Sequence, residues 1–223
     1  MKLVLFDCDG TLIDSAGNIH ESMRRTFLAF GKPEPTLAAT KSIMGLTLDI
    51  AIARIDGKQH VDDEAVAMRD HYKSLFTEVR QAPGYSEPLF DGIRALIERL
   101  AAEDEILIGA VTGKSRRGLN YVLDAHGFQS YFTVSRTADD CPSKPHPAMV
   151  TECCDETGMD LKDTVVIGDA IYDMQMARSA GVKAIGVSWG SASTDQLKAS
   201  GAHLVVDRAD ELLAHILGVT HHA

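Results

Sequence analysis

Two aspartates end the first strand that the sequence predicts. The apolar run of residues 2–6 leads directly into Asp7 and Asp9, and Gly10 follows them. Two carboxylates this close repel each other, which raises the pKa of at least one of them unless a cation lies nearby. In an open α/β sheet, ligands bind just beyond the carboxyl ends of the strands, and a glycine there lets the backbone approach an anion closely. The pair therefore predicts a site for a cation together with an anionic ligand.

Two further segments carry groups that bind anions. The predicted strand over residues 106–111 is followed by Thr112 and Gly113, which offer a hydroxyl and backbone N–H groups at the strand end. Such a turn suits a phosphate group. Lys144 stands in a segment that two neighbouring prolines stiffen. Because proline fixes the backbone, we expect this lysine to present a well-placed positive charge.

A second pair of acids follows another predicted strand. Residues 164–168 form an apolar run that ends at Asp169, and Asp173 lies four residues further on. If a helix begins at about Ala170, Asp173 lies in its first turn and faces the same strand end as Asp169. These two acids are therefore expected to join the site formed by the first pair.

The order of these segments is recognisable. The motif DxDGT over residues 7–11, then Thr112, Lys144 and the motif GDxxxD over residues 168–173 together resemble the haloacid dehalogenase superfamily of phosphatases. The run of residues 174–190 and the Lys-Pro-His-Pro box that begins at Lys144 further resemble its phosphoglycolate phosphatase branch. The resemblance spans the whole chain, because the helix-rich segment between the first two motifs is where that family inserts its cap.

The resemblance implies a role for each acid. Asp7 would attack phosphorus and form an aspartyl-phosphate, while Asp9 would protonate the leaving alcohol and later deprotonate the attacking water. The implied cofactor is Mg²⁺, with carboxylate oxygens from Asp7 and Asp169 and the backbone carbonyl of Asp9 as ligands. Asp173 would contact the metal either directly or through a water molecule.

The resemblance also assigns groups to the phosphoryl oxygens. Thr112 and the backbone N–H groups of Gly113 and Gly10 would hold these oxygens, and Lys144 would balance the charge of the phosphate and of Asp7. The chain departs from the family at Ala170, where a serine or threonine is common, so one hydroxyl contact near the lysine or the phosphate is missing.

Hydrophobic periodicity divides the chain into two regions. No strand pattern appears in the first region, where helices are predicted over residues 18–30, 37–55 and 62–80. Strands and helices then alternate, which indicates parallel βαβ units and a sheet buried on both faces. We therefore expect a doubly wound, Rossmann-like parallel α/β core over residues 1–13 and 83–223, with an inserted all-helical cap over residues 14–82.

The candidates for substrate contact in the predicted cap are His20, Arg24, Lys41, Gly45, Leu46 and Thr47, and three of them are expected to reach the site. His20 follows the expected hinge at the position where related caps point a polar residue inward. Arg24 lies one helical turn later and would suit a substrate carboxylate such as that of glycolate. Thr47 is a further candidate. We expect cap closure to bring all three towards the Asp7 pocket.

The predicted function is hydrolysis of a small phosphorylated metabolite, of the phosphoglycolate phosphatase kind, with Mg²⁺. A phosphomutase on the same scaffold remains an alternative, and so does a phospho-accepting signalling module, which also gathers acids and a lysine at strand ends. A signalling module has no use for Asp9 or for a helical insertion of this length. A dehalogenase is disfavoured because that branch replaces the second aspartate and needs no metal.

The composition disfavours proteins that bind nucleic acid, span a membrane or are exported. The 223 residues carry a net charge of −10, which repels nucleic acid and anionic membranes. No apolar run is long enough to span a bilayer, and the N-terminal segment becomes acidic too early for a signal peptide. Four cysteines without metal-binding spacing favour free thiols in a reducing cytoplasm. The sequence makes no prediction about the oligomeric state.

Overall fold

The computed structural model describes residues 1–81 and 86–217. Six parallel strands form one sheet in the order β3-β2-β1-β4-β5-β6. The strands are β1 (Lys2–Phe6), β2 (Ile106–Val111), β3 (Phe132–Arg136), β4 (Thr164–Gly168), β5 (Lys183–Val187) and β6 (Leu204–Val206). The direction of winding reverses between β1 and β4, which is the point where open sheets of this kind bind their ligands.

The described residues form ten α-helices. These are α1 (Ala16–Ala29), α2 (Leu37–Lys41), α3 (Leu48–Ile55), α4 (Asp63–Gln81), α5 (Ile93–Ala101), α6 (Arg116–His126), α7 (Ala148–Thr157), α8 (Ile171–Ala180), α9 (Thr194–Ala199) and α10 (Ala209–Leu217). The single helix predicted over residues 37–55 was wrong, because Gly45 takes a positive φ of 91° and a loop over residues 42–47 separates α2 from α3. That loop contacts the candidate site.

Each face of the sheet buries its own apolar cluster. Along β1, Val4 and Phe6 belong to one cluster, whereas Leu3 and Leu5 belong to the other. This alternation follows from the two-residue period of a strand, and burial on both faces explains the uninterrupted apolar run. The predicted doubly wound parallel sheet is therefore confirmed.

Helices α1, α3 and α4 pack around a third apolar cluster that includes Met23, Phe27, Ile52, Met68 and Tyr72. No strand occurs among the described residues from Ala16 to Gln81. The division into a core and a cap stays a prediction, and its second boundary, at residues 82–83, lies outside the described residues. We call α1 to α4, with the loops between them, the helical layer.

Two antiparallel segments join the helical layer to the sheet. Ile13 forms an isolated bridge with Leu89, and the N–H of Asp14 donates to the carbonyl oxygen of Pro88 at 2.8 Å. The N–H of Phe90 donates in turn to the carbonyl oxygen of Leu12 at 3.1 Å. The connection therefore passes close to the end of β1, where the first pair of acids lies. No described helix is long and apolar enough to cross a membrane.

Candidate active site

Asp7 and Lys144 form a buried ion pair at the end of β1. The N–H of Asp7 donates to the carbonyl oxygen of Ile167 at 2.8 Å, which holds the residue between β1 and β4. The Nζ atom of Lys144 lies 2.8 Å from Oδ1 of Asp7 and 2.6 Å from Oδ1 of Asp173. Burial disfavours the ammonium ion, but the two carboxylates hold the pKa of Lys144 above its ordinary value. Lys144 therefore stays charged between them.

Asp169 and Asp173 complete the cluster at the end of β4. Oδ1 of Asp169 accepts a hydrogen bond from the Thr11 hydroxyl at 2.9 Å, and Oδ2 accepts one from the N–H of Ser191 at 2.8 Å. The second carboxylate oxygen of Asp173 accepts from the N–H of Ala170 at 3.0 Å, which caps the start of α8. Asp173 thus orients Lys144 and anchors a helix.

Three of these carboxylates are placed to hold a metal ion. Asp7, Asp169 and Asp173 each offer an oxygen within 4.8 Å of the others, and all three are buried. Oδ2 of Asp7 has no hydrogen-bond partner among the described residues. Since three carboxylates face one ammonium group, a divalent cation that prefers oxygen ligands fits the site. The orphaned oxygen of Asp7 is the atom that such a cation would satisfy.

Burial of Asp7 and Asp169 close to other acids raises their pKa values. Burial, reinforced by Asp173 and Asp169 against the opposing effect of Lys144, raises the pKa of Asp7 to about 8. Burial, with Asp173 as the next cause, raises the pKa of Asp169 to about 6. Each of these carboxyl groups therefore takes up a proton at a higher pH than an ordinary carboxyl group does, as long as no cation is bound.

Glycines make room for the acids. A Cβ atom on Gly10 would lie 2.3 Å from Oδ2 of Asp169, and one on Gly190 would lie 2.2 Å from its Cβ. The N–H of Gly10 donates to the carbonyl oxygen of Ile13 at 2.9 Å. This hydrogen bond corrects the prediction that the N–H holds a phosphoryl oxygen, because the turn after β1 uses it. Gly10 contributes space to the site instead.

Asp9 lies in a second network, beside the first. Its Oδ1 accepts hydrogen bonds from the Ser15 hydroxyl and from Nζ of Lys114, both at 2.6 Å. The same Nζ atom lies 3.3 Å from Oε1 of Glu87. Burial disfavours the ammonium ion, but Asp9 and Glu87 hold the pKa of Lys114 above its ordinary value. The side chain of Asp9 is thus held away from the carboxylate cluster, as a separate acid/base group requires.

Sequence reasoning missed Lys114 and Glu87. Lys114 comes two residues after Thr112 in a turn already singled out as a phosphate site, so its position was a usable signal. Glu87 is distant in sequence from every motif and is brought to Lys114, the partner of Asp9, by the antiparallel segments that join the two parts of the fold. Long-range pairing of this kind leaves no local pattern.

The loop over residues 42–47 lies against the turn after β2. A Cβ atom on Gly113 would lie 2.6 Å from the carbonyl oxygen of Leu46, so only glycine permits this approach. The N–H of Thr47 donates to the Ser143 hydroxyl at 2.9 Å. Thr112 directs its hydroxyl oxygen to the N–H of Lys114 at 3.2 Å. The loop that carries Thr47 thus lies close to the turn that carries Thr112 and Gly113, and the roles of these residues stay predictions.

A cavity of about 920 Å³ opens between the helical layer and the strand ends. Asp7 and Asp9 lie in its wall, together with Thr112, Gly113 and Thr47. The cavity is thus bounded by residues from both parts of the chain, and the two catalytic candidates face the same enclosed volume.

His20 and Arg24 are not brought to this cavity. Nδ1 of His20 lies 2.9 Å from the hydroxyl oxygen of Thr40, within the helical layer. The guanidinium group of Arg24 donates to Glu21 at 2.8 and 3.0 Å and lies near Glu34. Neither residue lines the cavity. This corrects the expectation that they point inward, because the neighbouring Ile19 and Met23 occupy the face of α1 that lines it.

Comparison with known proteins places the chain among relatives that match it along most of its length. Residues 4–187 match the model of the haloacid dehalogenase-like hydrolase family. The chain is 34% identical over 220 residues to the protein named "Probable phosphatase IndB" of Dickeya dadantii, covering 96% of this chain and 94% of that protein. It is 27% identical to a phosphoglycolate phosphatase of Pseudomonas putida, covering 95% and 78% of the two chains.

A solved structure shows the same fold. A hydrolase from Pseudomonas syringae superposes with a TM-score of 0.85 at 21% identity, covering 99% of this chain and 100% of that one. At this identity the likeness concerns the fold. It agrees with the sheet order and with the helices described above.

Proposed function

We propose that this chain, which belongs to the haloacid dehalogenase-like hydrolase family, is a phosphatase that hydrolyses phosphate monoesters with Mg²⁺ as its cofactor. One observation carries the proposal. Asp7 lies at the wall of a large cavity with one carboxylate oxygen beside the ammonium group of Lys144 and the other without a hydrogen-bond partner among the described residues. A nucleophile, a positive charge and an enclosed space are what attack on a phosphate monoester requires.

The proposed reaction has two steps. A carboxylate oxygen of Asp7 attacks phosphorus, the bond from phosphorus to the leaving oxygen breaks, and Asp9 donates a proton to that oxygen. Asp9 then takes a proton from a water molecule, whose oxygen attacks the phosphorus atom. The bond from phosphorus to Asp7 breaks, so inorganic phosphate and the free carboxylate result. Lys144 and the Thr112 hydroxyl would stabilise phosphoryl oxygens in both steps.

Mg²⁺ is the proposed cofactor because the acids fit it. Asp7 and Asp169 would hold the ion with carboxylate oxygens and Asp9 with its backbone carbonyl, whereas Asp173 is paired with the ammonium group of Lys144 at 2.6 Å. The bound ion would neutralise charge on the phosphate and on the carboxylates. We therefore infer that Asp173 acts mainly by orienting Lys144.

The first test is turnover. We expect repeated release of inorganic phosphate from p-nitrophenyl phosphate with MgCl₂, loss of this activity with EDTA, and recovery when excess MgCl₂ is added. A phosphomutase would return the phosphoryl group to the sugar it releases, and a signalling module would stop after one phosphoryl transfer. Turnover that persists in EDTA would contradict the proposed cofactor.

The second prediction concerns pH. Since the pKa of Asp7 without a cation is about 8 and that of Asp169 about 6, protons compete with Mg²⁺ for both carboxylates below these values. A buried carboxyl with a raised pKa destabilises the metal-free fold as pH rises from its unfolded value towards its folded value. We therefore expect the melting-temperature gain from a fixed excess of MgCl₂ to grow from about pH 6 to about pH 8.

Differential scanning calorimetry with and without the metal measures this gain at each pH. Sodium chloride at matched ionic strength is the control for screening of surface charges. A gain that is constant over this range, or that falls as pH rises, would show that the carboxylate cluster does not bind the ion.

The relatives named phosphoglycolate phosphatase make phosphoglycolate the first small substrate to test. A small phosphorylated metabolite of the cytoplasm is the substrate class that the sequence predicts. The volume and the lining of the cavity constrain which leaving group it can accommodate.

A further inference from the structure

We propose that the leaving group of the preferred substrate is a bulky, uncharged, ring-containing alcohol rather than a small carboxylate such as glycolate. This inference rests on the proposed phosphatase function and narrows its substrate class. It follows from the chemistry of the cavity wall that faces Asp9, from the placement of the charged side chains around the cavity, and from its volume.

The wall formed by the helical layer is mostly apolar, although Asp49, Arg69 and Lys73 also belong to it. Ile19 and Met23 come from α1, Ile43 and Leu46 from the loop that follows α2, and Tyr72 and Phe76 from α4. The rings of Tyr72 and Phe76 stack with their centroids 5.8 Å apart and their planes 16° apart. Flat aromatic faces of this kind favour contact with another ring.

This wall lies beside the group that would protonate the leaving oxygen. The Nζ atom of Lys114, which donates to Asp9, lies 5.8 Å from the centroid of the Phe76 ring. Because Asp9 must be within hydrogen-bond reach of the leaving oxygen, the rest of the alcohol extends from there along the apolar wall. The position of the wall thus matches the position of the leaving group.

Two basic side chains of the cavity are already paired with acids of the protein. Lys114 is held by Asp9 and Glu87, and Arg69 lies between Asp49 and Asp70. Lys73 and Arg117 line the cavity but are exposed to solvent. A carboxylate next to Asp9 would therefore lose water, face an apolar wall and lie close to another acid.

The volume supports the same conclusion. About 920 Å³ is near the upper end of the range of cavities that enclose drug-sized ligands. A two-carbon leaving group would leave most of this volume to water, and the apolar wall would gain no contacts. A ring-sized group would occupy more of the space between the helical layer and the strand ends and would contact the apolar wall.

Turnover of three primary alkyl esters distinguishes a ring-containing leaving group from a small uncharged one and from a small carboxylate. The esters are benzyl phosphate, ethyl phosphate and phosphoglycolate. We expect kcat/KM for benzyl phosphate to exceed the values for the other two by at least about tenfold. An equal or higher kcat/KM for phosphoglycolate overturns this inference while leaving the phosphatase function intact. Absence of turnover with all three esters and with p-nitrophenyl phosphate counts against the phosphatase function itself.

The Phe76→Leu variant tests the wall directly, because it removes the ring but keeps an apolar side chain. We expect kcat/KM for benzyl phosphate to fall about fivefold to tenfold, with the value for ethyl phosphate within about twofold of wild type. Phe30→Leu is the matched control, since Phe30 packs in the same cluster, edge-on to His71, and does not line the cavity. Equal losses on both esters would show that Phe76 only supports the helices.

Discussion

Replacing Asp7 by asparagine is expected to reduce kcat to background, a loss on the order of 10⁴-fold or more, as for other catalytic nucleophiles. Asparagine keeps the shape of the side chain, and its carbonyl oxygen can still accept from Lys144. Its amide cannot attack phosphorus in place of the carboxylate, so the aspartyl-phosphate cannot form. Steady-state release of inorganic phosphate measures the loss.

The fold should survive this change. Because burial and the neighbouring acids raise the pKa of Asp7 to about 8, its ionised form destabilises the metal-free protein as pH rises above the ordinary carboxyl pKa. Asparagine carries no such charge. We therefore expect Asp7→Asn without metal to melt at or above the wild-type temperature near neutral pH, which separates loss of chemistry from loss of structure.

Mass spectrometry provides a direct readout. Wild-type protein quenched during turnover should carry a phosphoryl group on the peptide that contains Asp7, and the variant should carry none. Retention by Asp7→Asn of more than about one hundredth of wild-type kcat would assign the nucleophile to another residue.

The strand ends were predictable from the sequence because they obey a local rule. Apolar runs of five or six residues stop at a polar group, and parallel strands place these stops along one edge of the sheet. This is why Asp7 and Asp169 meet in the structure although they are far apart in the chain, whereas Lys144 reaches Asp7 from the loop before α7. No information about side-chain packing was needed for that prediction.

The helical layer was less predictable because the phase of a helix against its neighbours is set by packing. The spacing of His20 and Arg24 suited an inward face, but Met23 takes that face and is fully buried. Arg24 instead pairs with Glu21, three residues before it. A charged side chain on an exposed helix face commonly finds a partner of this kind. Sequence spacing alone does not distinguish these two outcomes.

The surroundings of Asp9 depend on the connection between the two parts of the fold. Ser15 precedes α1 and Glu87 lies beside the segment that returns to the sheet, and both belong to the network around Lys114 and Asp9. A movement of the helical layer about this connection would therefore shift the hydrogen bonds of Asp9. The structure thus links the placement of the candidate acid to the placement of the helices above it.

Replacing Asp9 by asparagine should give the second large effect. The backbone carbonyl of residue 9 is unchanged, so we expect the melting-temperature gain from MgCl₂ to persist. For an alkyl ester such as benzyl phosphate, kcat should fall about 10²-fold to 10⁴-fold, because no group donates a proton to the leaving oxygen. For p-nitrophenyl phosphate, whose leaving group needs no proton, the loss in the first step should be much smaller.

The two steps can be separated in the same variant. Since Asp9 also activates the water, Asp9→Asn should accumulate phosphoryl-Asp7 with p-nitrophenyl phosphate, seen as a burst of nitrophenolate before slow turnover. Asp14→Asn is the matched control, because Asp14 is an exposed acid of the same connection and lies outside the cavity. Equal losses on both esters without a burst would mean that Asp9 only holds Lys114 in place. A burst together with unequal losses of kcat for the two esters would show that Asp9 itself transfers the proton. A purely structural defect would lower kcat for both esters alike.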